Sequence, residues 1–268
     1  MNIIVFSKNR ALQLDLFLRS FLKYVKNSDI YKINVLYTST NSFFENGYNK
    51  IKNKYHNINL IKETNFKKDL LTLINKKNQY IVFFVDDDIF KNNIDFYDDQ
   101  EKFFKENNDI LCRSLRLHPK LKKCYPANLI YTKIPDFIKI SNNSFKFKWK
   151  NYQGDYGYPM SLDGHIFRTI ELLPLLKNRY YTNPNSLEGV LFIQPLNNSY
   201  MLCYDKSIII NNPCNIVQTN NPNIHGNEDI VKLNQKYLDE FEISFDNIDN
   251  IDNISCHQEI EIILKKNK

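Results

Sequence analysis

Three consecutive carboxylates, Asp86, Asp87 and Asp88, follow the apolar run Tyr80–Val85 with no residue between. Like charges gathered at the end of a buried segment repel one another, and a divalent cation that prefers oxygen relieves the repulsion. Successive side chains of an extended segment point to opposite sides, so Asp86 and Asp88 can share one ion. Such an ion neutralises charge developing on a diphosphate leaving group. A solvated acidic turn is the simpler reading of an isolated Asp-x-Asp; the position of this triplet after the most apolar strand favours the cation.

Ser7, Lys8 and Arg10 stand where an apolar run ends and a helix begins. Free backbone N–H groups and cations there suit phosphate or nucleotide oxygens, whereas plain surface cations would oppose the helix dipole. Asp163-Gly164-His165 sets an acid and an imidazole on either side of a residue without a side chain. Asp163 can accept hydroxyl protons and His165 can take metal or substrate; a tight turn with an exposed acid is the equal alternative. Glu188 falls in the first turns of a helix opened by Pro184, where it is either a general base or a capping acid. His225 and His257 are further imidazoles able to complete a carboxylate metal site, or simply surface histidines.

The elements that must position these groups alternate. Strands are expected at Ile3–Phe6, Ile33–Tyr37, Ile58–Ile61 and Tyr80–Val85, with helices at Ala11–Leu22, Ser42–Lys54 and Phe66–Ile74 between them. That alternation predicts βαβ units and a parallel sheet, with ligands beyond the carboxyl ends of the strands. The loops 7–10, 37–41 and 86–88 should therefore converge. Farther on, Asp109–Leu117 reads as a strand, Phe145–Trp149 as an edge strand and Gly164–Ile170 as extended. Glu171–Leu176 reads as a short helix, and Asn183 as the cap of the helix opened by Pro184. Ser207–Ile210 should be a strand, Asp229–Phe241 a helix and Ile254–Leu264 a closing strand.

Of 268 residues, 43% are hydrophobic and 14% aromatic, which excludes a disordered chain, and Gly 6 with Pro 9 excludes collagen-like or linker sequence. The net charge of +6 suits anionic small substrates better than nucleic acid, which would want a denser basic face. The five cysteines form no Cys-x-x-Cys pair, as reduced thiols would. With no run of ~18 apolar residues, neither a transmembrane segment nor a signal core is expected. The reading is a soluble, cytoplasmic protein, with Lys120–Lys123 and Lys265–Lys266 as solvated surface or, alternatively, as places for peripheral contact with acidic lipid.

The ordered set of motifs resembles nucleotide-sugar glycosyltransferases of the GT-A type, and more narrowly a bacterial glycosyltransferase-2-like group. It comprises Phe84–Asp88 (FVDDD), Phe6–Leu14 (FSKNRALQL), Arg113–Leu117 (RSLRL), Tyr158–Arg168, Asn183–Gly189 and Cys256–Glu259 (CHQE). The resemblance implies a single α/β domain with a mixed, mostly parallel, Rossmann-like central sheet flanked by helices. Residues 1–115 would form the nucleotide half and 116–268 the acceptor half. It implies a metal-dependent transfer of sugar from a nucleoside-diphosphate sugar, UDP- or GDP-linked, to a glycan or glycolipid hydroxyl in surface polysaccharide synthesis. Ser7, Lys8, Arg10, Tyr37, Thr38, Lys67, Asp86, Asp87 and His165 would bind the nucleotide sugar. Asp86 and Asp88 would hold Mn or Mg with a histidine, His257 before His225 or His165. Glu188 would be the base and Asp163 would orient the sugars. Inverting members carry Glu-Asp at this place; here Gly189 follows Glu188, which leaves the stereochemical outcome open. A sugar-phosphate nucleotidyltransferase and a non-catalytic carbohydrate-binding protein are the rival readings; the first usually has a glycine-rich phosphate loop, which 7–10 lacks.

Overall fold

A computed structural model describes residues 1–97, 107–193, 198–216, 224–249 and 251–267. The first half follows the alternation. Strands β1 (Asn2–Lys8), β2 (Ile33–Thr38), β3 (Ile58–Lys62) and β4 (Tyr80–Val85) pair in parallel in the order β3-β2-β1-β4. Helices α1 (Ala11–Tyr24), α2 (Ser42–Lys54) and α3 (Phe66–Leu73) connect them. Two of these helices begin at asparagines whose carboxamides accept backbone N–H groups, Asn41 from Phe44 and Asn65 from Lys68. Those side chains satisfy donors that a helix start leaves unpaired, so the chain turns sharply at the carboxyl end of each strand.

Strand β4 carries large apolar residues at every interior position because both of its faces are covered. Val82 and Phe84 pack with α1 and α2 residues such as Phe17 and Tyr48, whereas Ile81 and Phe83 pack with Phe66 and Leu70 of α3. The second face is completed by α4 (Thr169–Asn178) and α5 (Pro184–Ile193), through Leu172 and Leu187, and the first by α6 (Ile230–Leu238), through Leu233 and Tyr237. The result is three layers, helices on both sides of one sheet. No helix among the described residues is long and apolar enough to cross a membrane.

The second half extends the same sheet. Beyond β4 come β11 (His165–Arg168), β6 (Ile110–Ser114), β12 (Tyr200–Tyr204), β10 (Ser144–Lys148) and β9 (Ile138–Lys139). Only β10 and β11 run against the rest, so the sheet is mixed and mostly parallel. The remaining strands form small ribbons: β5 (Asp88–Phe90) with β13 (Ile209–Asn211), β7 (Lys123–Cys124) with β8 (Leu129–Ile130), and β14 (Phe241–Ile243) with β15 (Leu264–Lys266).

Several expectations are corrected. Strand β12 was not anticipated, because YMLCY has no alternation and little β-branching; four of its five residues are nevertheless buried. Strand β10 is not at the edge, since the two residues of β9 pair outside it. The strand expected over Asp109–Leu117 stops at Ser114, whose hydroxyl accepts the N–H groups of Arg116 and Leu117 and turns the chain. Strand β13 joins β5 rather than the main sheet. Helix α4 begins at Thr169, earlier than expected, and holds Pro174; α6 is shorter than expected, with Asp229 capping Val231 and Lys232. The closing strand at Ile254–Leu264 does not form: His257 makes a single bridge to Asn211, and the Asn212 carboxamide satisfies both backbone groups of Ile260. A segment whose polar groups are met by side chains has no need of a ladder.

Helix α1 is fixed to its neighbours by one fully buried carboxylate. Asp15 accepts from Arg19 Nε at 2.7 Å, Lys54 Nζ at 2.7 Å, Tyr55 Oη at 2.8 Å and Tyr237 Oη at 3.3 Å. These donors come from α1, the end of α2 and α6. Replacing Asp15 by Ala removes the acceptor shared by two cations and two hydroxyls and should cost roughly 2–4 kcal/mol. The fall in the urea midpoint measures this, with Asp15→Asn losing less; an unchanged midpoint would deny the cluster its structural role.

Candidate active site

A cleft of about 980 Å³ opens where the carboxyl ends of β1, β2 and β4 meet the loops of the second half. One of its walls is a set of contacts centred on Asp86. Ser7 Oγ donates to Asp86 Oδ2 at 2.8 Å, the Lys8 N–H donates to the same oxygen at 3.2 Å, and Arg10 Nη1 donates to Asp86 Oδ1 at 3.1 Å. Arg10 Nη1 also reaches Asp87 Oδ2 at 2.7 Å, while Nη2 donates to the Asn215 carbonyl. The chain reaches this position through Asn9, at φ 58°, a left-handed conformation that Asn tolerates better than most residues. The Asn9 side chain is stitched to Thr40, so the loops after β1 and β2 form one unit.

Burial pushes the Asp86 carboxyl up to about 6, against the pull of Arg10. Burial would lower Arg10, but Asp87 and Asp86 hold its guanidinium charged above the usual range. Asp88 is fully buried and titrates well above the carboxylate range, first through burial and then through Asp163 and Asp87. It accepts from the Val85 N–H at 3.1 Å and from Asn211 Nδ2 at 3.2 Å.

The ribbon β5–β13 and the bridge beside it form a single row: Asp88 is opposite Asn211, and Asn211 is opposite His257. Residues in register across strands point to the same face, so the aspartate and the imidazole flank the amide. His257 Nε2 lies 3.1 Å from Asp163 Oδ2, and its buried Nδ1 has no hydrogen-bond partner among the described residues. Among those residues, no group of three or more His, Cys, Asp or Glu side chains is drawn together as a finished metal cage. The donor set still suits a hard divalent cation: buried Asp88 feels the charges of Asp163 and Asp87, and the unpartnered His257 Nδ1 lies 3.9 Å from Asp155 Oδ1. Asp86 is not in this row; its oxygens are already engaged by Ser7, Lys8 and Arg10.

The far wall is built on a buried arginine. Arg116 Nη1 lies 3.4 Å from Asp155 Oδ1 and 3.3 Å from Asp163 Oδ2, and its Nε donates to His165 Nε2 at 3.4 Å. His165 is held by burial, and then by Arg116, at about 3, so its ring is neutral, with Nδ1 set against the Pro159 carbonyl at 3.0 Å. Burial would raise Asp163, but the His257 hydrogen bond and Arg116 bring it below the usual range. Gly164, at φ 66°, lets this loop cross closely: its N–H donates to Phe83 O at 2.8 Å, and a Cβ there would lie 2.2 Å from Ile209 Cδ1.

Helix α5 supplies Glu188. Asn183 Oδ1 accepts from the Ser186 N–H at 2.8 Å, the expected cap. Glu188 Oε1 accepts from the Leu162 N–H at 3.0 Å, and its carboxyl is raised by burial and by Asp163.

Ser7, Lys8, Arg10, Thr38, Asp86, Asp87, Asp163, Glu188, His225 and His257 all line the cleft. Four other candidates lie outside its lining: Asp88, fully buried and bonded by Asn211, and three that serve as supports. Tyr37 bonds Glu45 and stacks on Tyr48 at 4.2 Å, because its ring turns under the sheet end. Lys67 donates to the carbonyls of Lys177 and Arg179 at the end of α4. His165 is fully buried beneath Arg116. Arg116 and Asp155 are site residues that the sequence reading did not single out. Arg116 lies in the RSLRL motif, but burial of an arginine between two acids is invisible along the chain.

Arg10→Ala would leave Asp86 buried with only neutral donors, an expected loss of roughly 3–5 kcal/mol. Chemical denaturation checks this, and Arg10→Lys, which keeps charge without the fork, should recover part of it. Equal stability of all three proteins would contradict the clamp.

No protein-family model matches the chain. It is 31% identical over 205 residues to the bifunctional glycosyltransferase pgtA of Dictyostelium discoideum, an alignment covering 69% of this chain and 26% of that protein. The chain therefore spans about a quarter of the length of this curated relative. Among solved structures, TarS 1–349 of S. aureus in complex with UDP is similar with a TM-score of 0.46 at 19% identity, over 78% of this chain and 60% of that one. The 4-diphosphocytidyl-2C-methyl-D-erythritol synthase of Anaerococcus prevotii gives a TM-score of 0.39 at 13% identity, over 88% of this chain and 96% of that one. Across the aligned 69% of its length the chain is thus related in sequence to a glycosyltransferase, and it resembles the GT-A type in its mixed sheet and in the acidic triplet that follows the fourth strand.

Proposed function

We propose that this chain is a glycosyltransferase that moves a sugar from a nucleoside-diphosphate sugar to a hydroxyl acceptor with a divalent cation, Mn or Mg. The observation that carries the reading is the convergence, on one cleft, of the Arg10–Asp86 clamp, of Asn211 and His257 with Asp88 buried behind Asn211, and of Glu188. The relationship to pgtA supports it.

Carboxylates outnumber lysines and arginines in this cleft, with Glu63, Asp86, Asp87, Asp155, Asp163 and Glu188 around Lys8, Arg10 and Arg116. A diphosphate would be repelled from such a surface unless a cation came with it. Asp88 and His257 would hold that cation, and when bound it would screen the negative charge of the departing diphosphate. Ser7, Lys8 and Asp86 would bind the nucleoside side, in the half formed by residues 1–115, with Thr38 at the adjoining wall. Residues 116–268 would hold the acceptor. Asp163, positioned by Arg116 and His257, would orient sugar hydroxyls. Glu188 would take the acceptor proton; its raised carboxyl lies closer to the operating pH, where a general base works best. A UDP- or GDP-linked donor and an acceptor in surface glycan synthesis are the specific forms of this reading, with the protein acting in the cytoplasm.

Asp88→Ala should abolish release of nucleoside diphosphate from UDP- and GDP-sugars with Mn present, and should remove the Mn-dependent rise in melting temperature. Full activity in that variant, or release of pyrophosphate from nucleoside triphosphates instead, would overturn the reading. Glu188→Gln should lower kcat at least ~100-fold. In the wild type, kcat/KM should fall as pH drops through the raised Glu188 pKa, above the ordinary glutamate range, because the protonated carboxyl cannot accept. That acid limb should be absent from the variant's profile; its persistence would assign the base elsewhere.

A further inference from the structure

Helix α5 presents more than Glu188 to the cleft. Asn185, Glu188 and Phe192 all line it, spaced three and four residues apart, so they share one helical face. Phe192 is 47% exposed although it stands in a concave site. Its ring stacks on that of Tyr158 with centroids 4.9 Å apart and planes 27° apart. Tyr158 also lies near enough to Glu188 for that carboxylate, after burial, to push its phenol above the usual range. The tyrosine is placed by Gly157, where a Cβ would come within 2.0 Å of the Tyr152 carbonyl. One face of the aromatic pair is therefore packed by protein, and part of the phenylalanine surface faces the cleft.

Leaving that much apolar ring in water is unfavourable, at about 25 cal/mol for each Å² that a ligand could cover. The ligand that covers it must also bring a hydroxyl to Glu188, one helical turn away, roughly 5–6 Å. A pyranose ring has these dimensions and both kinds of surface: an apolar patch of axial C–H groups on one face, and hydroxyls around its edge. An acyclic polyol presents no such patch until several torsions are ordered, and that ordering costs binding free energy.

We infer that Tyr158 and Phe192 form a stacking platform that selects a pyranoside acceptor, with Asn185 bonding a neighbouring hydroxyl and Glu188 meeting the hydroxyl that reacts. This rests on the transferase reading of the cleft for its acceptor role, and it goes beyond that reading by naming the acceptor class and the residues that choose it.

Saturation-transfer NMR with methyl β-D-glucopyranoside, methyl β-D-galactopyranoside and ribitol tests it on the full chain. The wild type should saturate the axial C–H protons of at least one pyranoside and leave ribitol unsaturated. Phe192→Ala should weaken pyranoside binding about tenfold and Phe192→Trp should preserve it. Phe192→Leu keeps apolar bulk without a ring and serves where the alanine variant unfolds; it should weaken binding as well. Ribitol binding equal to that of the pyranosides, absence of binding by either pyranoside, or unchanged affinity in the ring-less variants would overturn the platform. Pyranoside binding that depends on Phe192, with no nucleotide sugar consumed, would overturn the transferase reading while supporting the platform. Nucleotide-sugar consumption without pyranoside binding would do the reverse.

Discussion

The arrangement of the whole site follows from placing three adjacent carboxylates at the end of a strand with no exposed interior. Strand β4 is covered on both faces, so Asp86 and Asp88 leave it almost without water, at 3% and 0% exposure. Burying ionised groups is expensive unless each is paired, and the structure pairs them in two different ways. Asp86 and Asp87 meet a guanidinium from the start of α1. Asp88 meets an amide from β13 and remains next to Asp163, an acidic pairing that a cation would settle. Asp86 thus rests on an internal cation, Asp88 on the Asn211 amide, and Asp87 between them, bonded to both Arg10 and Asn211.

The guanidinium can act only because α1 is fixed. Its cap, Arg10, follows a left-handed Asn9, and its body is tied to α2 and α6 through Asp15. Stability and site geometry are thus linked: the network that packs the helices also places the charge that makes Asp86 tolerable. The same logic applies opposite, where Arg116 is surrounded by Asp155 and Asp163 and backed by a neutral His165. Each wall of the cleft is an arginine shared between two acids, and shared charges of this kind hold carboxylates in fixed directions.

Strand β11 joins the two walls. By running antiparallel between β4 and β6, it brings the turn at Gly164 to the carboxyl end of β4. Asp163 then lies beside Asp88, although 75 positions separate them in the chain (163 − 88). An extended tail segment completes the arrangement. Residues around His257 lie against β13 through the backbone bonds of a single bridge at Asn211, and the backbone of Ile260 is met by the Asn212 carboxamide.

The sequence by itself determined the parallel half. β-branched and aromatic runs, helix-length spacers and asparagine caps are local signals, and they name the strand ends where Ser7, Arg10, Thr38 and Asp86 to Asp88 must gather. It also determined the start of α5, because Asn183 and Pro184 act within a few residues of themselves. Tertiary structure decided the rest. YMLCY became a central strand because β6 and β10 offered it ladders on both sides, and the tail from Ile254 did not become a strand because side-chain amides reached its backbone first. Likewise, Tyr37, Lys67 and His165 became supports and Arg116 became a wall, since burial and partner choice depend on residues scores of positions away. Local propensity fixes which segments are strands and helices; which charge meets which is set by long-range packing, where desolvation is large enough to choose the partner.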